Sequence, residues 1–580
     1  MVIETRRAAT ARRRATLRFP ILTTAAALIA IGHAANAQVV LPADAKPSCT
    51  VAAVEFASWF ESGGATLNGT VQPADSLTFP DEPNCPFFKW AEQMFLWLTS
   101  PAPANVRSSA RVLDSPLFFD VSPLDANGQR TLIPVTPGAR NLDARISQRG
   151  PHAAPVVFDK TGRMFPLVRL QAGPTARPLV RDRAGQTVEI ARTQLAPNGA
   201  PVFLDKDGKA VDVPTTRRGS PVLRDRAGRL IELRTDRKIV VNGRTLFLDS
   251  AGDAVGVELG QADGSVLLTA GGKLVYYALS VNDVFAYFLT GQKSGAISAT
   301  KFPTTPANLT DIQNFALTHA KTFPDAHALA VELKSAWVET DGVADPGKYV
   351  TITATVPSFD TSDPLHWVRN GTKQAQLALV GLHVVGSAKG HPEMIWATFE
   401  HVDNTRNAEY TYLDTSGAKA TVPQDNGGTW LFSTTPPAAT PNVSLNSASD
   451  ADIVAASPPT PIGASDILRI NPWGMPAVTI NTAATSVNTD VISINSSVIG
   501  QLLDGDVRRN YLLTGATWTI GGVVGGHGTG TNQMANTTME TFFQPSNCFA
   551  CHTGNASNAL GGAGGSGLSH VYGPLKPLFP

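Results

Sequence analysis

From about Phe118 to Tyr277 the chain repeats one short unit, and this repetition constrains its fold more than any other feature. Pro155-Val-Val-Phe-Asp-Lys-Thr-Gly162, Pro178-Leu-Val-Arg-Asp-Arg-Ala-Gly185, Pro201-Val-Phe-Leu-Asp-Lys-Asp-Gly208, Pro221-Val-Leu-Arg-Asp-Arg-Ala-Gly228 and Leu246-Phe-Leu-Asp-Ser-Ala-Gly252 are variants of it. Each reads as an apolar strand, an Asp-x-x-Gly turn and a returning strand such as Leu230-Ile231-Glu232-Leu233. Asp can bond the turn backbone and Gly can take positive φ there. The aspartates Asp159, Asp182, Asp205, Asp225 and Asp249 recur at intervals of 23, 23, 20 and 24 residues. One hairpin cannot bury its own face, so five should stack. Only Asp205 and Asp207 put two carboxylates in one turn, and Lys or Arg adjoins most of the others, which favours structural turns over calcium sites. With 50 Gly, 42 Pro and only 16% charged residues, the composition also leans to turn-rich β structure. The expected fold class is α+β and β-rich: a β-sandwich-like body with an inserted β-hairpin repeat array, a helical N-terminal segment and a small C-terminal segment.

The N-terminus reads as an export signal. Arg6, Arg7, Arg12, Arg13, Arg14 and Arg18 form a basic region, Ile21 to Ile31 an apolar one, and Ala35-Asn36-Ala37 a small-x-small cleavage pattern. The apolar run is too short to span a membrane, and no later run approaches the roughly 18 residues needed. Arg13-Arg14 matches the folded-export signal weakly, so general secretion to the periplasm or beyond is expected. Removing 1–37 leaves 543 residues, enough for two to four domains, with 41 basic against 46 acidic residues. That balance offers nucleic acid no basic face. The expected divisions are 1–37 signal peptide, 38–117 helical segment, 118–275 hairpin insertion, 276–520 α/β main body and 521–580 C-terminal segment. Val54, Phe56, Trp59 and Phe60, and then Phe87 to Leu98, have helical spacing, and their aromatic density reads as core. Asn282 can cap a helix ending at Gly291, Asn308 to Ala320 reads as a second helix, and residues 377–402 read as a long hairpin around Ala388-Lys389-Gly390.

Four cysteines divide into two pairs. Cys49 and Cys85, in an oxidising compartment, are expected to form a disulfide, with two buried thiols as the alternative. Cys548-Phe549-Ala550-Cys551-His552 is the attachment signature of a c-type haem: two thiols three residues apart reach one porphyrin edge, and His552 faces the iron as proximal ligand. A zinc site would need further ligands, and no second C-x-x-C or H-x-x-x-H exists. A thioredoxin-like pair belongs in a βαβ unit, not in a tail rich in Gly, Ser and Asn. Only 28 residues follow His552 and none is Met. The candidate distal ligand is therefore His570, after a Gly-rich loop, with Met539 and Met534 on a probable helix before the motif as alternatives. His527 and an open iron also remain.

A second polar cluster, His383, His391, Glu393, Glu400 and His401, falls in the long hairpin. His391 and His401 share a strand parity while His383 lies on the facing strand, so hydrogen-bonded hairpin residues are a better reading than a metal site. No nucleophile elbow, Walker loop or dinucleotide fingerprint is present. Gly521 to Gly526 leads into the tail and not into a nucleotide fold.

Asn84-Cys-Pro-Phe-Phe-Lys-Trp-Ala-Glu-Gln-Met-Phe-Leu-Trp-Leu-Thr-Ser100, Leu379-Val-Gly-Leu-His-Val-Val-Gly386, Ile395-Trp-Ala-Thr-Phe-Glu-His-Val-Asp-Asn404 and Ala535-Asn-Thr-Thr-Met-Glu-Thr-Phe-Phe-Gln544 stand with the C-x-x-C-H motif. Together they resemble a group of secreted bacterial monohaem cytochrome c-like proteins. The likeness covers most of the chain outside the hairpin repeats and implies one haem c held by Cys548, Cys551 and His552. An iron with two protein ligands points to electron transfer with a redox partner protein or a small-molecule donor or acceptor. An open position points instead to a haem-dependent oxidoreductase whose large domain holds the substrate. A third reading is an envelope or surface binding protein with an ancillary haem.

Overall fold

A computed structural model describes residues 38–580 apart from 81–83, 104–109, 124–128, 440, 443–444, 449–451, 456–458, 476–483, 525, 542–543, 545–547, 553–568, 570–574 and 580. Between 145 and 265 only the strands and 209–211 are described. The expected signal at 1–37 lies outside the described residues, as do the turn aspartates Asp159, Asp182, Asp205 and Asp225.

A 12-stranded sheet organises the chain. Its main path comprises β1 (Phe118–Val121), β2 (Leu132–Pro134), β3 (Val275–Asn282), β4 (Val331–Glu339), β5 (His366–Ala388), β6 (His391–His401), β7 (Tyr511–Thr519) and β8 (Gly528–Gly530). The spatial order is β2-β1-β3-β4-β5-β6-β7-β8, with every neighbour antiparallel. Thr351–Asp360 pairs with the first half of β5. The chain is thus β-rich α+β. β5 and β6 form the hairpin expected over 377–402, turning at Gly390, which has φ 80°.

Strand alternation gives this sheet two different faces. Leu382 and Val384 of β5 and Ala397 of β6 are buried on one face with Phe88, Phe95 and Leu98 of α1 (Cys85–Thr99). Gly386 makes room there, since a Cβ would lie 2.7 Å from the Trp90 ring. Val385 of β5 and Trp396 of β6 belong to a separate core on the other face, shared with Val284, Phe285 and Phe288 of α2 (Asp283–Lys293) and Ile312 of α3 (Pro306–Thr318). The Asn282 side chain caps α2 by accepting from the Phe285 N–H at 3.1 Å. The helix passes the expected stop at Gly291 and ends at Lys293, and the chain turns at Gly295, φ 79°. Cys49 and Cys85 form the expected disulfide, their Cα atoms 5.5 Å apart, which ties the N-terminal loop to the first residue of α1.

Three features depart from the sequence reading. β1, β2 and Arg140–Asn141, placed within the hairpin insertion, pair into the large sheet, so the insertion begins after Ala144. Residues 36–580 form one compact unit, not the several domains their number allows. The helix α4 (Ala484–Ile499) has eight β-branched residues in sixteen and gives no helical signal, yet Val491, Ile492, Ile494 and Val498 pack it into the α1 core.

The hairpin units pair locally, as in Val156–Phe158 with Met164–Pro166 and Leu179–Arg181 with Thr187–Glu189. They do not stack in simple sequence. Val222–Arg224 pairs with Leu179–Arg181 and with Leu230–Val241, which continues through Arg244–Asp249 to Ala254–Val255 as one six-stranded sheet. Arg192–Leu195 and Pro201–Leu204 form a pair of their own.

Candidate haem-attachment site

Cys548–His552 folds as a short helix, α5. Positions i, i+3 and i+4 share one side of a helical turn, so this backbone gathers both cysteine positions and His552 there. Cys548 and His552 are half-buried; the Cys551 side chain lies outside the described residues. Phe549 anchors the turn: it is buried with Val385, Met394, Trp396 and Met534. A Cβ at Gly528 would meet the Asn532 side chain first and lie 3.0 Å from the Phe549 ring, so a glycine in β8 leaves room for both. The Trp396 indole packs 4.3 Å from the His552 ring and is held by its own N–H, which donates to the Glu393 carbonyl at 2.9 Å.

Trp396 belongs to one row of paired residues across the sheet: Val281, Glu332, Val385, Trp396 and Thr517 on β3 to β7. Glu332 lies two strands from Trp396, about 10 Å at the usual strand spacing. Burial pushes its carboxyl up to about 7, against a hydrogen bond from Ser569 and the charges of Arg130 and Lys334. Ser569 thereby fixes the chain beyond α5 to this row. The tail continues beside β2, where the Lys576 N–H donates to the Arg130 carbonyl at 2.8 Å, and Phe579 stacks on His319 at 4.2 Å. His570 and residues 553–568 lie outside the described residues.

The segment leading into α5 is seated by buried polar groups. Residues 536–541 form a single turn and not the expected helix: Asn536 accepts from the Met539 and Glu540 N–H groups at its carbonyl, and its own N–H donates to the Glu540 carboxylate at 3.0 Å. The Asn536 amide donates to Thr398 Oγ1 and the Phe399 carbonyl, both at 3.0 Å. The Thr537 N–H donates to Glu400 at 2.8 Å, and Glu400 pairs with Arg469 at 2.7 Å, both fully buried. A Cβ at Gly381 would fall 2.7 Å from Asn536 Oδ1, so β5 admits the turn only through a glycine. Glu540 is gripped by His383 at 2.9 Å and Lys334 at 3.3 Å. Burial alone would raise its carboxyl, but these two neighbours and the Asn536 N–H hold it down at about 2.

The histidine and carboxylate cluster of the long hairpin is therefore dispersed. His383 faces Glu540 and Glu400 faces Arg469 on the α5 side. His391 pairs with Glu393 at 2.8 Å between Phe79 and Phe87. His401 stacks on Tyr349 at 3.7 Å, donates from Nε2 to the Lys348 carbonyl and accepts the Asp403 N–H at Nδ1. Burial pushes it down to about 3, so it is neutral. Among the described residues no three His, Cys, Asp or Glu side chains gather as a metal site.

Of the two methionines, Met534 shares the Phe549 and Trp396 core, with Thr531 Oγ1 3.6 Å from its sulfur. Met539 is buried in a different core with Phe432, Ile467 and Val380. His527 is exposed in the loop before β8. No protein family, curated protein or solved structure matches this chain. The sequence reading gave Trp396, Glu332, Arg130 and Ser569 no place in the site, because nothing local to any of them signals the partner. Strand alternation alone could group Trp396 with Thr398 and Glu400.

Proposed function

We propose that the chain is an exported, periplasmic or secreted c-type cytochrome that holds one haem c and transfers electrons to or from a redox partner protein or small molecule. The observation that supports this best is the C-x-x-C-H turn itself: two thiol positions and an imidazole on one side of α5, with His552 against Trp396 on an apolar floor. That donor set suits a porphyrin edge and its iron. When bound, such a group supplies a one-electron couple tuned by its axial ligands and by burial.

The chain's own residues hold, orient and exclude water. Cys548 and Cys551 would make the covalent attachment, and His552 the proximal bond. Trp396 limits the positions open to the imidazole, and Phe549, Met534 and Val385 keep the floor dry. His570 is the proposed distal ligand: its neighbour Ser569 is fixed to Glu332, in the row that contains Trp396. Replacing His570 by Ala should convert a low-spin optical spectrum to high-spin. An unchanged low-spin spectrum would move the assignment to Met534 or Met539, with Met534 first because it shares the α5 core.

One observation favours the oxidoreductase alternative. Glu332 is a buried carboxyl near neutrality with an oxygen that meets no donor among the described residues, as a proton-transferring group requires. A resting wild type that is already high-spin and binds carbon monoxide rapidly would select that alternative.

A further inference from the structure

We infer that Glu393 and Met394 are positioning residues for the His552 imidazole: they build a bulge in β6 that brackets the Trp396 indole against that ring. The inference rests on the haem reading of α5 and adds to it the part of the sheet that sets how the proximal ligand is turned.

The register shows the bulge. Ile395 of β6 pairs with Gly386 of β5 and His391 with Ala388, so Pro392, Glu393 and Met394 together span the place of Ser387 alone. Met394 has φ 67°, a left-handed conformation that a residue with a side chain rarely adopts. It is fully buried, in the core that contains Phe549 and Trp396. Strain of this kind persists only where the surroundings over-determine it, and bulges beside functional sites re-aim a side chain.

The surroundings here do both. On the other edge of β6 the ladder to β7 ends at the Trp396–Thr517 pair, and Glu393 pairs in neither ladder. Beyond that end the Thr519 N–H of β7 donates to the Glu393 side chain, at Oε1, at 3.1 Å. The same oxygen meets His391 Nδ1 at 2.8 Å, and the edges of Phe79 and Phe87 pack with that imidazole. The buried carboxylate thus substitutes for the strand pairing that the bulge interrupts. Its backbone carbonyl is left to accept the Trp396 indole N–H at 2.9 Å. In a regular strand two positions three apart are separated by about 10 Å and point to opposite faces. The bulge is what brings the Glu393 carbonyl to the indole, and the indole lies 4.3 Å from the His552 ring. Partners behind an iron ligand orient it and tune the metal.

The test compares Glu393→Ala, Glu393→Gln and Leu382→Ala in the full haem-loaded chain. Two quantities are read: the paramagnetic resonance spectrum of the oxidised haem, which follows the orientation of the axial imidazole, and hydrogen exchange of the Trp396 indole N–H in the reduced protein, its signal identified by its loss in Trp396→Phe. Glu393→Ala should shift the resonance spectrum and speed the exchange about tenfold, as the loss of one hydrogen bond does. Glu393→Gln keeps an accepting oxygen and should restore both to the wild-type values, while Leu382→Ala should change neither. If Glu393→Ala does not fold, Met394→Ile should speed the exchange and Met394→Leu should not, because a β-branched residue resists positive φ most. Unchanged readings in Glu393→Ala, equal effects of Ala and Gln at 393, the same shift in Leu382→Ala, or equal exchange in the two Met394 variants would each overturn the inference. A colourless wild type would instead overturn the haem reading and with it the role at an iron ligand, and the exchange rates in that chain would still decide whether Glu393 brackets Trp396.

Discussion

The two faces of the large sheet are made from the same strands but are covered in different ways. One is closed by α1 and α4 through apolar side chains, Leu382 and Val384 against Phe88 and Phe95. The other is closed by α2 and α3 and by chain that arrives late, residues 531–541, α5, Ser569 and 575–579, and much of that late contact is polar: Glu400 with Thr537, His383 and Lys334 with Glu540, Glu332 with Ser569. Apolar packing is tolerant of small slides, whereas a buried ion pair is strict about geometry and adds little net stability. The polar face thus fixes where α5 sits, and the apolar face supplies most of the drive to fold.

The largest expected contrast is in haem content. Replacing both Cys548 and Cys551 by Ala should abolish covalent haem on a stained denaturing gel, while Leu382→Ala on the apolar face should leave attachment intact and lower stability by about 2–5 kcal/mol in denaturant unfolding. Next is Glu400→Ala, which strands the Arg469 charge in the interior. A loss of about 3–5 kcal/mol is expected, together with a disturbed haem spectrum that Leu382→Ala does not show.

Smaller effects separate the faces by pH. Burial raises Glu92 of α1 to about 8 and Glu332 to about 7 from an ordinary 4.5. A raised carboxyl favours the fold in its protonated form, so that contribution is complete below pH 4.5 and is lost as pH rises to 7 or 8. Each group should add up to about 1.4 kcal/mol per pH unit to the decline over its window. Glu92→Gln should flatten the stability profile without changing the haem spectrum; Glu332→Gln should flatten it and also alter the spectrum. Glu540 has the opposite sign: held at about 2, it stabilises the fold above pH 4.5 and loses this as pH falls through 2. The smallest change is expected from Trp396→Phe, about 1 kcal/mol in thermal unfolding, with a shifted haem spectrum as the ring beside His552 is reduced.

The same contrast explains what the sequence made legible. The aromatic run of α1, the Asn282 cap and the Gly390 hairpin are local patterns, and each appears in the fold where its periodicity or turn chemistry put it. The C-x-x-C-H motif is local too, and its helical turn is as compact as its spacing requires. The polar face was not legible, because its partners are far apart in the chain: Glu400 meets Thr537, and His383 meets Glu540 across 157 residues. The five polar residues of the hairpin looked like one cluster because they are close in sequence; strand alternation and Tyr349, Phe87 and Glu540 pull them to separate places. α4 was hidden for another reason: its β-branched residues favour strand locally, and only packing against α1 makes it a helix.

The most direct test of the central claim is acid–acetone extraction of the protein purified after export from a host that attaches c-type haem. The account predicts that the pigment stays with the polypeptide and that the Cys548→Ala, Cys551→Ala double variant emerges without it. Pigment that extracts into the organic phase, or a colourless wild type, would contradict the account.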